Sequence, residues 1–162
     1  MVIYLGADHE GFRLKEDLRA FLQGKGYEVT DLGNADEVPD DDYPDFAAKV
    51  AEKVSRDPQN GRGILVCGSG IGMDVAANKF ANVRSALVAN PEQAYASRND
   101  DDANILSLSA HSLDAERAKK IVSVWLQTPF SGEERHRRRI EKIERIEHEQ
   151  TANRSGDQFS RL

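Results

Sequence analysis

Five short apolar runs alternate with helical patterns along this chain, and that rhythm constrains its fold more than any other feature. Val2-Ile3-Tyr4-Leu5 is rich in β-formers, does not alternate with polar residues and stops at Gly6, as a strand buried on both faces does. Phe12 to Gly24 then places Leu14, Leu18, Phe21 and Leu22 at helical spacing, with Gly24 and Gly26 as stop signals. The pair recurs. Tyr27 to Leu32 reads as a second strand, and Phe46 to Val54 as a helix entered through Asp42-Tyr43-Pro44-Asp45. Gly63 to Cys67 is followed by a helix over Ile71 to Lys79, and Arg84 to Val88 by a short helix over Pro91 to Arg98, which tolerates its leading proline. Ile105 to Leu108 and a helix from Asp114 to Gln127, capped by Ser112 or Asp114, complete the series. Strand alternating with helix in this way predicts an α/β fold: a three-layer sandwich whose five-stranded parallel sheet is covered on both faces.

In open parallel sheets ligands bind beyond the carboxyl ends of the strands. That rule gathers Asp8-His9, Cys67-Gly68-Ser69-Gly70 and the loops after the fourth and fifth strands on one edge of the molecule. The length, 162 residues, fits one domain, read here as residues 1–149. Beyond Gln127 the character changes. Glu133 to Glu149 reads as a charged helix with Ile140, Ile143 and Ile146 on one stripe and Glu141 and Arg145 four residues apart. A helix so polar needs something to lie on, so residues 133–149 are expected to form an arm packing on a partner subunit. Residues 150–162, rich in Ser, Asn and Gly, are expected to form a flexible tail.

Charge and cysteine usage exclude several classes. A net charge of −6 argues against a general preference for nucleic acid or anionic membrane, so any anion site must be a local basic cluster. One cysteine makes no internal disulfide and fits a reducing compartment. The apolar start is too short for a signal peptide and no run of 18 apolar residues occurs, so a cytoplasmic location is expected.

Cys67-Gly68-Ser69-Gly70-Ile71-Gly72 follows a strand and opens a helix. Glycines there let backbone N–H groups approach a ligand, and the helix N-terminus favours negative charge, which is also expected to lower the Cys67 pKa. The segment lacks the Gly-Lys-Ser/Thr ending of a nucleotide loop and the G-x-G-x-x-G spacing. Read alone, Asp8-His9-Glu10-Gly11 is equally a helix cap with a solvated histidine, and Asp42-Tyr43-Pro44 an ordinary capping sequence. Arg135 and Arg139, in the only dense basic cluster, are spaced i,i+4 and suit one phosphate, although charge runs are more often solvated. An RNA-contacting patch would call for accompanying aromatics and further basic clusters. Asp100-Asp101-Asp102 lacks the spacing of a calcium loop, and metal binding is the weaker reading.

Five blocks stand in the order and spacing of one family: Gly6-Ala7-Asp8-His9-Glu10-Gly11, Asp42-Tyr43-Pro44-Asp45, Cys67-Gly68-Ser69-Gly70-Ile71-Gly72-Met73, Ala76-Ala77-Asn78-Lys79, and Phe130-Ser131-Gly132-Glu133-Glu134-Arg135-His136-Arg137-Arg138-Arg139-Ile140. From Gly6 to about Glu147 the chain resembles the ribose-5-phosphate isomerase B and galactose-6-phosphate isomerase family. The resemblance implies a Rossmann-like fold, no metal or other cofactor, and homodimers or homotetramers with active sites between subunits. Its substrates would be phosphorylated sugars, with no nucleic acid or membrane partner. It implies Cys67 as the base that moves a proton between C1 and C2 of the open-chain sugar, and Ser69 as a proton relay between the two oxygens. The N–H groups of Gly68, Gly70, Ile71 and Gly72 would hold the enediolate. Asp8 and Tyr43 would orient hydroxyls, while His9, Arg135 and Arg139 would bind phosphate.

Three positions depart from the family's pattern. Asp100 replaces the histidine assigned to ring opening, Asp101 replaces an asparagine near the enediolate, and His111 stands where relatives often have a phosphate-binding arginine. Asp100 can accept a hydroxyl proton and is taken as the ring-opening group. The expected reaction is ribose 5-phosphate to ribulose 5-phosphate. The alternatives are a six-carbon sugar phosphate of the galactose or allose 6-phosphate type, and a non-catalytic sugar-phosphate binder.

Overall fold

The computed structural model describes residues 1–159. In chain order the elements are β1 (Val2–Ala7), α1 (Phe12–Gly24), β2 (Glu28–Asp31), α2 (Tyr43–Arg56), β3 (Gly61–Cys67), α3 (Ile71–Ala77), β4 (Ser85–Leu87), α4 (Pro91–Asn99), β5 (Ile105–Ser109), α5 (Ala115–Gln127) and α6 (Glu134–Phe159). All five strands are parallel, in the order β2-β1-β3-β5-β4. The expected α/β sandwich with a C-terminal helix is what the chain forms.

The two faces of the sheet bury different side chains because successive residues of a strand point opposite ways. Ile64 and Val66 of β3 face α1 and α5, packing with Ile3, Leu5, Leu18, Leu22, Ile121 and Trp125. Leu65 and Cys67, on the other face, pack with Phe46, Val50 and Val54 of α2 and Met73 of α3. Both clusters are essentially inaccessible to water. This two-sided burial is why the strands read as continuous apolar runs.

Element ends moved where side chains decided them. β3 begins at Gly61 rather than Gly63, because Gly61 still pairs with Val2 of β1. α2 begins at Tyr43, with Pro44 in its first turn. α3 stops at Ala77, since the Asn78 amide donates to the Asp74 and Ser85 carbonyls and accepts from the Ser85 N–H, tying the helix end to β4. Asp114 caps α5, accepting from the Arg117 N–H at 2.8 Å. α6 continues to Phe159, ten residues past the expected end at Glu149, while 160–162 lie outside the described residues.

Contacts of His136 and of Glu147 are among those that tie α6 to its own chain. His136 is buried with Nδ1 2.7 Å from Ser131 Oγ, and Glu147 accepts the Asn82 N–H at 3.0 and 3.1 Å. Between these points Ile143 and Ile146 are 46% and 59% exposed, along a groove of about 540 Å³ that Val83, Ala86 and Ala103 also line. Among the described residues no helix is long and apolar enough to cross a membrane.

Candidate active site

The sheet order fixes where a ligand can sit. From β1 the chain moves outward through α1 to β2, then returns through α2 on the opposite face to β3. β1 and β3 are therefore neighbours at a topological switch point, where diverging loops leave a crevice at the carboxyl ends. Asp8 follows β1 and Cys67 ends β3, so both stand at that crevice.

Asp8 is buried, and its Oδ1 accepts the Gly11 N–H at 2.9 Å. The loop can be this tight because residue 11 has no side chain: a Cβ there would lie 2.2 Å from the Val66 carbonyl oxygen. Burial pushes the Asp8 carboxyl above its ordinary value. Cys67 is also buried, and its Sγ accepts the Gly70 N–H at 3.1 Å. Gly70 adopts φ +77°, the left-handed turn that aims this N–H back at the sulfur.

The expectation of a lowered Cys67 pKa is corrected. Burial pushes the thiol up, Asp8 adds to the rise, and the N–H groups of Met73, Gly70 and Ser69 only offset part of it. The physical reason is position. The sulfur lies in the core against Phe46 and Met73, and the helix that follows has only seven residues. Desolvation outweighs so short a dipole.

Around this centre stand the other residues of the same edge. Tyr43 packs on the first turn of α3, where a Cβ on Gly72 would lie 2.6 Å from its ring. His111 packs on the loop after β3 in the same manner, with 2.8 Å between its ring and a Cβ on Gly68. Ser69 and Ile71 are exposed at the crevice, and the Ile71 N–H reaches Ser69 Oγ at 3.3 Å. The backbone of Gly68, Gly70, Ile71 and Gly72 thus stands at the same sheet edge as a thiol, a carboxyl and a hydroxyl.

Two side chains escaped the sequence reading. Asp41 bonds His9, and Glu10 bonds His111 at 2.5 Å, which holds the Glu10 carboxyl below its usual range. No local pattern marks either pair, because each joins loops far apart in the chain.

The remaining predicted residues lie elsewhere. Asp100 and Asp101 precede β5, at the amino ends of the strands. Register pairs Gly63 with Ile105 and Cys67 with Ser109, so four strand residues, roughly 13 Å, separate the two edges before the loops are counted. Arg135 and Arg139 are exposed at the start of α6, which the Ser131 N–H···O Asn99 bond keeps beside the Asp100 loop. Within one chain these four residues do not meet Cys67.

Nor do the three aspartates converge. Asp102 bonds Arg84 and Arg98, while Asp100 accepts from Asn99 and lies 3.7 Å from His136 Nε2. Among the described residues no three potential ligands gather as a metal site.

Comparison with known proteins matches residues 3–143 to the ribose/galactose isomerase family model. The chain belongs to that family. Ribose-5-phosphate isomerase B of Escherichia coli is 41% identical over 145 residues, 90% of this chain and 95% of that protein. A probable ribose-5-phosphate isomerase B of Mycoplasma genitalium is 42% identical over 147 residues, covering 91% and 96%. The crystal structure of the Mycoplasma genitalium enzyme with bound ribulose 5-phosphate superposes with a TM-score of 0.89 over 91% of this chain and 97% of that one. Family membership makes the chain an aldose–ketose isomerase, an enzyme of the sugar-phosphate isomerase class.

Proposed function

We propose that the enzyme interconverts ribose 5-phosphate and ribulose 5-phosphate by proton transfer at Cys67. The observation that carries this reading is a cysteine sulfur at the switch point, bonded by a glycine N–H and flanked by a buried carboxyl. As thiolate, Cys67 takes the proton from C2 of the open-chain aldose and returns one to C1. The electron pair released from the C–H bond forms an enediolate, whose oxygens are held by the N–H groups of the Gly68–Gly72 loop. Ser69 relays a proton between the two oxygens, and Asp8 and Tyr43 orient the sugar hydroxyls. The raised thiol pKa makes the thiolate, once formed, a stronger base toward C2, while lowering the fraction of thiolate present near neutral pH.

The rest of the site comes from a second copy of the chain. Two-fold symmetry about an axis across the strands sets the carboxyl edge of one copy against the amino edge of the other. Asp100, Asp101, Arg135 and Arg139 of the second copy then approach Cys67, adding a ring-opening base and cations for the phosphate to His9 and His111. Exposed Ile71 and Val75 on α3, Leu87 on β4, and Ile143 and Ile146 on α6 support an interface along this side.

The test is formation of ribulose 5-phosphate by the wild-type enzyme and by Cys67→Ala, with ligand affinity measured by calorimetry. Lost turnover with retained binding supports the reading. Turnover of galactose 6-phosphate alone would replace the substrate, and equal binding by both proteins without turnover would make the chain a binder.

A further inference from the structure

The loop joining β2 to α2 contributes a side chain that the reaction so far leaves without a role. Asp41 reaches the loop after β1, where its Oδ1 accepts the His9 backbone N–H at 2.8 Å and meets His9 Nδ1 at 2.8 Å. Its second oxygen accepts from Asn34 Nδ2 at 3.0 Å. The Asn34 carbonyl accepts from Lys15 Nζ at 3.0 Å, and the fully buried Lys15 is itself held by Asp31 at 2.5 Å. A continuous chain of bonds therefore runs from an ammonium beneath α1 to the imidazole at the crevice. With its side chain only 11% exposed, Asp41 has little freedom to leave it.

We infer that Asp41 is the positioning residue of the phosphate end: it fixes the His9 ring with the Nδ1 proton on its own carboxylate, leaving Nε2 to serve the substrate phosphate. The inference rests on the isomerase reading for its substrate, while the Asp41–His9 link stands on geometry. A carboxylate has no proton to give, so Nδ1 must carry one. In the neutral ring Nε2 then presents a lone pair, which a phosphate repels. Only the doubly protonated ring donates from Nε2.

The charges facing His9 all favour that form. Asp8 and Glu10 come from its own loop and Asp41 from the β2–α2 loop, and the ring is pushed up first by its bond to Asp41. Glu10 Oε1 lies 3.7 Å from Nε2, while Oε2 of the same carboxylate is taken by His111 from the β5–α5 loop. Arriving phosphate thus replaces Glu10 at Nε2 with a stronger anion, at a ring whose facing charges already favour the protonated form.

Asp41→Asn keeps the shape and an acceptor oxygen but removes the charge. Asp40→Asn, at the exposed neighbouring position, makes the same change in net charge and serves as control. The expected result is a KM for ribose 5-phosphate raised by up to about fivefold just above the ordinary histidine range in Asp41→Asn, the factor separating a charged from a neutral donor. The rise should shrink near pH 6, where the ring protonates without help, with kcat within about twofold throughout. Asp40→Asn should match wild type. A loss confined to kcat, or a KM rise equal at both pH values, overturns the inference.

Nitrogen–proton NMR of the His9 imidazole in free enzyme supplies a readout independent of turnover. It should show a proton on Nδ1 in wild type and a lower titration midpoint in Asp41→Asn. An active enzyme whose His9 titrates identically in both proteins refutes the role of Asp41 while leaving the isomerase intact. A shifted His9 in an enzyme inert toward ribose 5-phosphate refutes the substrate and leaves the Asp41–His9 link standing.

Discussion

If each active site is shared by two copies, two inactive variants with lesions on opposite edges must rescue one another. Cys67→Ala removes the group at the carboxyl edge of β3, and Arg139→Ala removes an exposed cation at the start of α6, beside the amino edge. The roughly 13 Å of β-sheet between those edges prevents one chain from presenting both to one substrate. Co-expression in equal amounts makes about half of the dimers mixed by random pairing, and each mixed dimer holds one site with both lesions and one with neither. About a quarter of all sites are then intact, and activity should recover to about a quarter of wild type from two parents that are each nearly inactive. The assay is ribulose 5-phosphate formation by the co-purified proteins, with each parent measured alone. Recovery no greater than the mean of the two parents, with mixed dimers demonstrated by differential tagging, would refute the shared site.

Other expectations follow from single contacts. Because burial raises the Cys67 pKa above its ordinary 9.0, the thiolate fraction near neutral pH lies below that of a free cysteine; alkylation by iodoacetamide should be slower than for a model thiol and should keep climbing beyond pH 9. A rate that levels off below neutrality would contradict this. Gly11→Ala should destabilise the protein by about 1–3 kcal/mol in urea, since its Cβ meets the Val66 carbonyl oxygen at 2.2 Å, and should depress activity by displacing Asp8. Lys15→Met should cost about 3–5 kcal/mol by the same measurement, because it leaves Asp31 without its buried partner. A loss below 1 kcal/mol would show that water reaches Asp31 freely.

The sheet was legible in the sequence because burial on both faces writes strands as unbroken apolar runs, and Ile64-Leu65-Val66-Cys67 is the clearest of them. The Asp8 and Cys67 loops were legible too, since strand ends before glycines are where parallel sheets bind ligands. Element ends were less so. Gly61 carries no apolar signal, yet belongs to β3 through its pairing with Val2, a contact between residues distant in the chain. Asp41–His9 and Glu10–His111 were invisible for the same reason, being 32 and 101 residues apart. The Cys67 pKa was misjudged because a helix start is local and readable, whereas the depth of the sulfur in the α2–α3 core is a property of packing.

The central claim is that Cys67 moves a proton between carbon atoms and solvent-exchangeable sulfur, and proton NMR of the reaction in D2O tests it most directly. Wild-type enzyme with ribose 5-phosphate should yield ribulose 5-phosphate carrying deuterium at C1, and deuterium should appear at C2 of the aldose on the reverse path. Cys67→Ala, folded and still binding sugar phosphate, should give neither conversion nor exchange. Full conversion without any deuterium, or undiminished exchange in Cys67→Ala, would contradict the account.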